Sequence, residues 1–165
     1  MNGIEERAGL LAECLEEINT SLIELTAIFR IKRQILARAD MEALDELLGR
    51  EESVAQRLFE AETRREVLAE EIASVTGAPG ERLAGIAAAL PSEPAQVLVD
   101  AGVRLRDTIT VLSREARIVA EICRAATDHY DRLIRIITGT GAPSVYTPSG
   151  VAAPSSGRGI IDQAF

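Results

Sequence analysis

The stretch QVLVDAGVRLRDTITVLSREARIVAEICRAATDHYDRLIRIIT, which covers residues 96–138, decides the fold. Apolar or small residues recur in it every seven positions, in a first series made of Leu98, Leu105, Leu112, Val119, Ala126 and Leu133. A second series, offset by four, comprises Gly102, Ile109, Ala116, Cys123, Tyr130 and Ile137. Spacings of three and four place both series on one face of an α-helix. We therefore expect an amphipathic helix roughly 60 Å long, which needs equally long helical partners.

The residues before this stretch supply two such partners. Ile4 to about Ala39 carries an apolar stripe that includes Ile4, Leu11, Ile18 and Leu25. Met41 to about Val75 carries another, through Leu47, Val54, Ala61, Leu68 and Val75. Asp40 lies between the two helices and is a good N-cap for the second. A polar break this short predicts an antiparallel hairpin. The alternative is a kink within one very long helix.

Polar residues interrupt both stripes of the hairpin. Lys32, the only lysine of the chain, lies in the first stripe, and Glu51 and Arg65 lie in the second. For Lys32 we expect an aliphatic stem along the edge of the helix, with its ammonium group in water. A buried ion pair or a contact with a partner is the alternative.

Glycine and proline mark the ends of the later helices. The run Thr76-Gly77-Ala78-Pro79-Gly80 predicts the end of the second helix. A short helix from Glu81 to Leu90 follows, and Ser92 can then cap the long helix, with Pro94 in its first turn. The predicted fold is all-α: a long antiparallel helical hairpin, a short linker helix and a long C-terminal helix. These elements form a three- or four-helix bundle or an antiparallel coiled coil, with a bundle domain over residues 1–138.

Composition changes after the long helix. Residues 139–165 contain five Gly, three Pro and four Ser, which predicts a flexible tail. Two short apolar islands interrupt this tail, at residues 145–150 and 160–165. Islands of this kind often dock onto a partner. An inert tail is the alternative.

Overall composition narrows the class of protein. Apolar residues make up 47% of the chain but aromatic residues only 3%, so aliphatic side chains and alanine must build the core, as in helical bundles. The net charge is −8 and no basic face is concentrated anywhere, which argues against nucleic-acid binding. No apolar run is long enough to span a membrane, and residues 1–6 do not resemble a signal peptide. We expect a cytoplasmic protein without membrane insertion.

Candidate chemical groups are few. Cys14 and Cys123 both lie on apolar helical faces, which predicts two small buried thiols without a disulfide. The only histidine, His129, has no Glu three residues before it and no partners in the pattern of a catalytic triad. Gly139-x-Gly141 lacks the third glycine and the preceding strand of a nucleotide loop. We therefore expect no enzyme activity, no cofactor and no metal site.

One island of the tail is specific. The order of long helix, Ala-Asp turn, long helix, linker helix and long helix is followed by Val145-Tyr146-Thr147-Pro148-Ser149-Gly150 and by Ile160-Ile161-Asp162-Gln163-Ala164. Across the whole chain this arrangement resembles the FlgN-type flagellar export chaperones. The Tyr-x-Pro-x-Gly island behind the last helix is the most specific part of the likeness.

The resemblance implies a function and partners. Such chaperones bind the C-terminal segments of the hook–filament junction proteins FlgK and FlgL in the cytoplasm and deliver them to the export gate protein FlhA. By the same resemblance, Tyr146 docks on the gate, within the island that also contains Pro148 and Gly150.

An amphipathic cargo segment needs an apolar surface. Ile134 and Ile136 fall outside the heptad series of the long helix, so part of its C-terminal apolar surface is not needed for the core. The predicted cargo-binding residues are Ile122, Tyr130, Leu133, Ile134, Ile136 and Ile137. The alternative is that they pack beneath the tail or an N-terminal helix. A different class of function also stays open, namely a non-catalytic coiled-coil protein that self-associates through the same stripes.

Overall fold

A computed structural model describes residues 2–78 and 82–138, which form four α-helices and contain no strand. The helices are α1 (Asn2–Arg38), α2 (Met41–Thr76), α3 (Leu83–Ala88) and α4 (Ser92–Thr138). The predicted all-α class with long helices is confirmed. The predicted tail, residues 139–165, lies outside the described residues.

Two compact units share these helices, Met1–Val119 and Ala120–Phe165. The first contains α1, α2, α3 and the beginning of α4. The second is described over residues 120–138, the remainder of α4.

The turn between α1 and α2 reverses the chain. Ala39 adopts a left-handed conformation with φ 54°, and Asp40 is extended. The Asp40 side chain caps α2, because its Oδ1 accepts a hydrogen bond from the Ala43 N–H at 3.1 Å. The ion pair Arg7–Glu71, at 3.1 Å, joins the beginning of α1 to the end of α2. The ion pair Lys32–Glu51, at 2.6 Å, joins the end of α1 to the first half of α2. The two helices are therefore antiparallel, and the hairpin, not the kink, is the correct prediction.

Small side chains let α1 and α2 approach closely. Ala8, Cys14, Ala61 and Ala69 are all buried. The Cys14 thiol donates a hydrogen bond to the Ala61 carbonyl at 3.0 Å, which also satisfies the polar hydrogen of a buried group.

The core of the first unit consists of three apolar clusters that follow one another along the hairpin. The first joins all four helices through Leu11, Leu15, Ala69, Ile72, Ile86, Leu98 and Ala101. The second contains Cys14, Ile18, Leu22 and Ala61, and the third contains Leu25, Ile28, Leu47 and Val54. Half-buried Leu105 and Leu112 of α4 each pack against two neighbouring clusters, so α4 links them into one core.

Polar contacts show the direction of α4 within the first unit. Arg104 pairs with Glu16 at 2.5 Å, and the Thr108 hydroxyl donates to the Asn19 side chain at 2.7 Å. Further along both helices, Arg30 pairs with Glu115 at 3.1 Å. Residue numbers rise together in these pairs, so α1 and α4 run parallel and α2 runs against both.

The link between α2 and α4 follows the glycine and proline signals. Gly77 adopts φ 70° and its N–H donates to the Ala73 carbonyl at 2.9 Å, which ends α2 as predicted. α3 is shorter than the predicted Glu81–Leu90, but it buries Ile86 completely. α4 begins at Ser92, so the prediction that Ser92 is its N-cap was wrong; Pro94 lies in the first helical turn, where a proline is tolerated. A β-carbon at Gly102 of α4 would lie 2.7 Å from Leu83 Cδ2, so a larger residue there would require the end of the Leu83 side chain to move.

The polar interruptions of the hairpin stripes pair with acids. Lys32 and Glu51 form a half-buried ion pair with side chains only 16% and 23% exposed, so the expectation of a solvated Lys32 ammonium group was wrong. The alternative, a buried pair, describes it better. Arg65 pairs with Glu62 on its own helix at 2.7 Å. Each charged group that enters the stripe therefore has an opposite charge beside it.

Candidate functional site

The C-terminal part of α4 carries the six predicted cargo-binding residues. Every residue from Cys123 to Thr138 is exposed, and Ile122 is half-buried. Tyr130 is 64% and Ile134 57% exposed, and Leu133, Ile136 and Ile137 are also exposed. This helical segment therefore carries several large apolar side chains that cover no core within the described residues.

Helical geometry sorts these six residues. At about 100° per residue, the six span an arc of roughly 160° with Ile134 and Ile136 at its two ends, and five of them lie within roughly 120° of Ile134. The five are Ile122, Tyr130, Leu133, Ile134 and Ile137, and they are called the terminal face below. In the sequence, Ile134 follows Leu98 by about ten periods of 3.6 residues, so helical periodicity assigns both to one apolar stripe. A strict seven-residue count had placed it outside that stripe, whereas a count of 3.6 residues per turn would have included it.

Charged residues around the terminal face balance one another. Arg124, Arg132 and Arg135 are offset by Glu121, Asp128 and Asp131, and none of the six forms an ion pair with a described residue. His129 is exposed, and its ring meets Tyr130 edge-on with centroids 6.3 Å apart. The terminal face therefore offers apolar surface more than net charge.

The two cysteines differ in exposure. Cys14 is buried, as predicted, and burial raises the pKa of its thiol above the usual value. Cys123 is exposed, so the prediction that it is buried was wrong. The heptad series runs on to Ile137, but Val119 is the last buried residue of α4. Periodicity identified the apolar side of the helix without showing where its burial ends.

A polar groove runs between α1, α2 and α4 in the first unit. It has a volume of about 770 Å³ and is lined mainly by Glu13, Glu16, Glu17, Glu60, Arg57, Arg64 and Arg104. Two ion pairs, Glu16–Arg104 and Glu17–Arg64, join the helices that form it. These pairs offset most of the charge of the lining, and no histidine or cysteine lines the groove. Its contacts fit the association of helices.

Two further observations concern the described ranges 2–78 and 82–138. They contain no group of three or more His, Cys, Asp or Glu side chains arranged to hold a metal ion. None of their helices is long and apolar enough to cross a membrane.

Comparison with known proteins identifies the family. A family model described as FlgN protein matches residues 8–154. The chain belongs to the FlgN family. Membership implies a role as a flagellar export chaperone, which binds protein cargo. No curated protein and no solved structure matches the chain.

The FlgN match extends beyond α4. It includes the whole terminal face and also Tyr146, Pro148 and Gly150, the residues predicted to dock on the export gate. These last three lie outside the described residues.

Proposed function

We propose that this FlgN-family protein binds the C-terminal segments of the junction proteins FlgK and FlgL on the terminal face and delivers them to FlhA in the cytoplasm. One observation carries the cargo site. The apolar face of α4 continues beyond Val119 with the spacing of a bundle core, yet its large side chains from Tyr130 to Ile137 are exposed. A solvated apolar face of this width favours an amphipathic helix as its ligand.

The energetics support an apolar mode of binding. Complete burial of a Leu, Ile or similar side chain contributes about 1.5–3 kcal/mol. Burial of three or four such side chains can offset two entropy costs: the loss of translational and rotational freedom on association, and the ordering of a disordered cargo segment. Because charges around the terminal face balance, cargo affinity should depend only weakly on salt concentration.

Delivery requires a second contact that leaves cargo in place. The predicted tail begins directly after α4 and contains Tyr146 between short Gly and Pro segments. A tyrosine ring combines a large apolar surface with a polar hydroxyl, which suits docking from a tether. The resemblance to other FlgN-type chaperones supports FlhA as the protein that receives it.

The cargo site is tested with a double substitution, Leu133→Ser with Ile137→Ser. We expect the Kd for a FlgK C-terminal peptide, measured by calorimetry, to rise by at least roughly tenfold because two anchors are lost. The matched control is Val99→Ser with Val103→Ser, which changes side chains 48% and 49% exposed on the same helix within the first unit. Equal losses in both variants would contradict the proposal.

A pair of single substitutions resolves the position of the cargo. Ile134→Ser should weaken binding more than Ile136→Ser, although the two side chains are 57% and 59% exposed. The reason is that only Ile134 belongs to the terminal face. A larger effect at Ile136 would place the cargo nearer to Ile122 and Leu133 than to Ile134.

The gate contact is tested with the two tyrosines of the chain, Tyr130 and Tyr146. Tyr146→Ala should weaken binding of the chaperone–cargo complex to FlhA and leave cargo binding unchanged. Tyr130→Ala should weaken cargo binding and leave the contact of the chaperone with FlhA unchanged. Equal FlhA binding by wild type and Tyr146→Ala would remove Tyr146 from the gate contact.

The second candidate is a non-catalytic coiled-coil protein that pairs with itself, since an exposed apolar face also suits a second copy. Light scattering with and without FlgK and FlgL peptides separates the two. A stable oligomer that the peptides do not alter favours self-association over chaperone function.

A further inference from the structure

A second apolar line lies on α2, within the first unit. Met41, Leu48 and Phe59 are 60%, 43% and 68% exposed, and Phe59 is the most exposed large apolar residue described. Met41 and Phe59 are five helical turns apart, so they share one direction, and Leu48 lies about 20° from them. These three residues, called the α2 stripe, cover no part of the core.

Carboxylates surround the α2 stripe. Asp45, Glu52 and Glu70 lie within about 40° of it and form no ion pair with any described residue. The arginines of α2 lie more than about 100° away, at positions 50, 57, 64 and 65. Arg57 and Arg64 are in addition paired with Glu24 and Glu17 of α1. Apolar side chains and carboxylates therefore alternate along the stripe, and no arginine of α2 lies on the same side of the helix.

We propose that the α2 stripe binds a basic amphipathic helix of a protein other than the cargo. The apolar residues of the stripe require apolar residues of the partner opposite them, and the carboxylates between them require Lys or Arg beside those apolar residues. From Met41 to Phe59 the stripe spans about 27 Å, which matches a partner helix of about five turns.

Charge also excludes two other occupants. A second copy of this stripe would bring carboxylates against carboxylates, which is unfavourable. Nucleic acid would meet the same repulsion. A helix with the opposite charge pattern is complementary in both its apolar and its ionic part.

The probe is a synthetic helical peptide with Leu at its a and d positions and Lys at its e and g positions. Fluorescence anisotropy should give a Kd that rises by at least roughly tenfold in the Leu48→Ser, Phe59→Ser double variant. A peptide with Glu in place of Lys should not bind. The control is again Val99→Ser with Val103→Ser, which should bind the lysine peptide like wild type. Unchanged affinity in the Leu48→Ser, Phe59→Ser protein overturns the proposal.

A charge variant gives an independent test that leaves the apolar residues in place. The double substitution Asp45→Lys with Glu52→Lys should weaken binding of the lysine peptide and strengthen binding of the glutamate peptide. Binding of the FlgK peptide should be unaffected in all α2 variants, which separates this surface from the cargo site. If the charge variant leaves both affinities as in wild type, these carboxylates play no part in binding and the proposal fails.

The cellular partner is tested by photo-crosslinking. The photoreactive residue p-benzoylphenylalanine at position 59 should crosslink to a protein with a basic amphipathic helix, and the same residue at position 103 should not. Crosslinks to a second copy alone, or none at position 59, overturn the proposal.

Discussion

The two parts of α4 carry the same apolar pattern in different surroundings. Before residue 120, Leu98, Ala101 and Val119 are at most 7% exposed and belong to the interior of the first unit. After it, Tyr130 and Ile134 are more than half exposed. An apolar stripe on a helix therefore does not by itself separate a residue that stabilises the fold from one that is available to a partner. What separates them is whether another helix covers the stripe, and substitutions in matched positions can test that difference.

The largest expected difference concerns stability. Leu98→Ala should cost about 2–5 kcal/mol in the free energy of unfolding, because it leaves a cavity at a fully buried site. Ile134→Ala should change it by less than about 0.5 kcal/mol, because the side chain is exposed. Urea denaturation followed by circular dichroism measures both. Similar losses at the two positions would mean that the terminal face contributes to the core.

Thiol chemistry gives the next contrast. Cys123 is exposed, whereas Cys14 is buried and the pKa of its thiol is raised. The reactive form of a cysteine is the thiolate, and at Cys14 burial both blocks access to the sulfur and lowers the fraction of thiolate. A maleimide should label Cys123 at least roughly 100-fold faster than Cys14 in the folded protein. Mass spectrometry of time points locates the label. Equal rates would contradict the observed burial.

A smaller effect is expected at the end of the buried part of α4. Glu115 is 13% exposed and accepts from Arg30 at 3.1 Å and from Arg33 at 3.4 Å. Glu115→Gln should lower stability by only about 1 kcal/mol, because both arginines are well exposed and the pairs are screened by solvent. Glu121→Gln, at an exposed glutamate that forms no ion pair with any described residue, should have no effect in the same thermal melt. A loss at Glu121 equal to that at Glu115 would show that these ion pairs do not hold α4 to α1.

The smallest effect is expected from removing residues 139–165. Since we predict that the tail is separate from the helical bundle, the helical circular dichroism per molecule should be unchanged. Cargo binding should also be retained, whereas FlhA binding should be lost together with Tyr146. A large loss of helical signal would refute the predicted division at residue 138.

Local signals predicted much of the fold. Asp40 caps α2 and Gly77 ends it, because both act through hydrogen bonds to residues three or four positions away. The spacing of apolar residues predicted the long helices, because periodicity determines which side of a helix can be buried.

Contacts between distant residues were not predictable in the same way. The pair of Lys32 with Glu51 depends on the register of the hairpin, which a sequence without its turn geometry does not specify. The exposure of Cys123 depends on how far the partner helices cover α4, not on its own neighbours in sequence. For the same reason, the cargo site and the α2 stripe could be assessed as surfaces only after burial was known.

The half-buried pair of Lys32 and Glu51 has a practical consequence. Lys32 is the only lysine, so apart from the N-terminus the chain offers one primary amine, and that amine is engaged by a carboxylate at 2.6 Å. Amine-directed cross-linkers and fixatives will therefore react poorly with this chaperone, even while it holds a client. Proximity experiments in cells need reagents directed at carboxylates, at the Cys123 thiol or at an inserted photoreactive residue, and a negative result with an amine reagent says nothing about association.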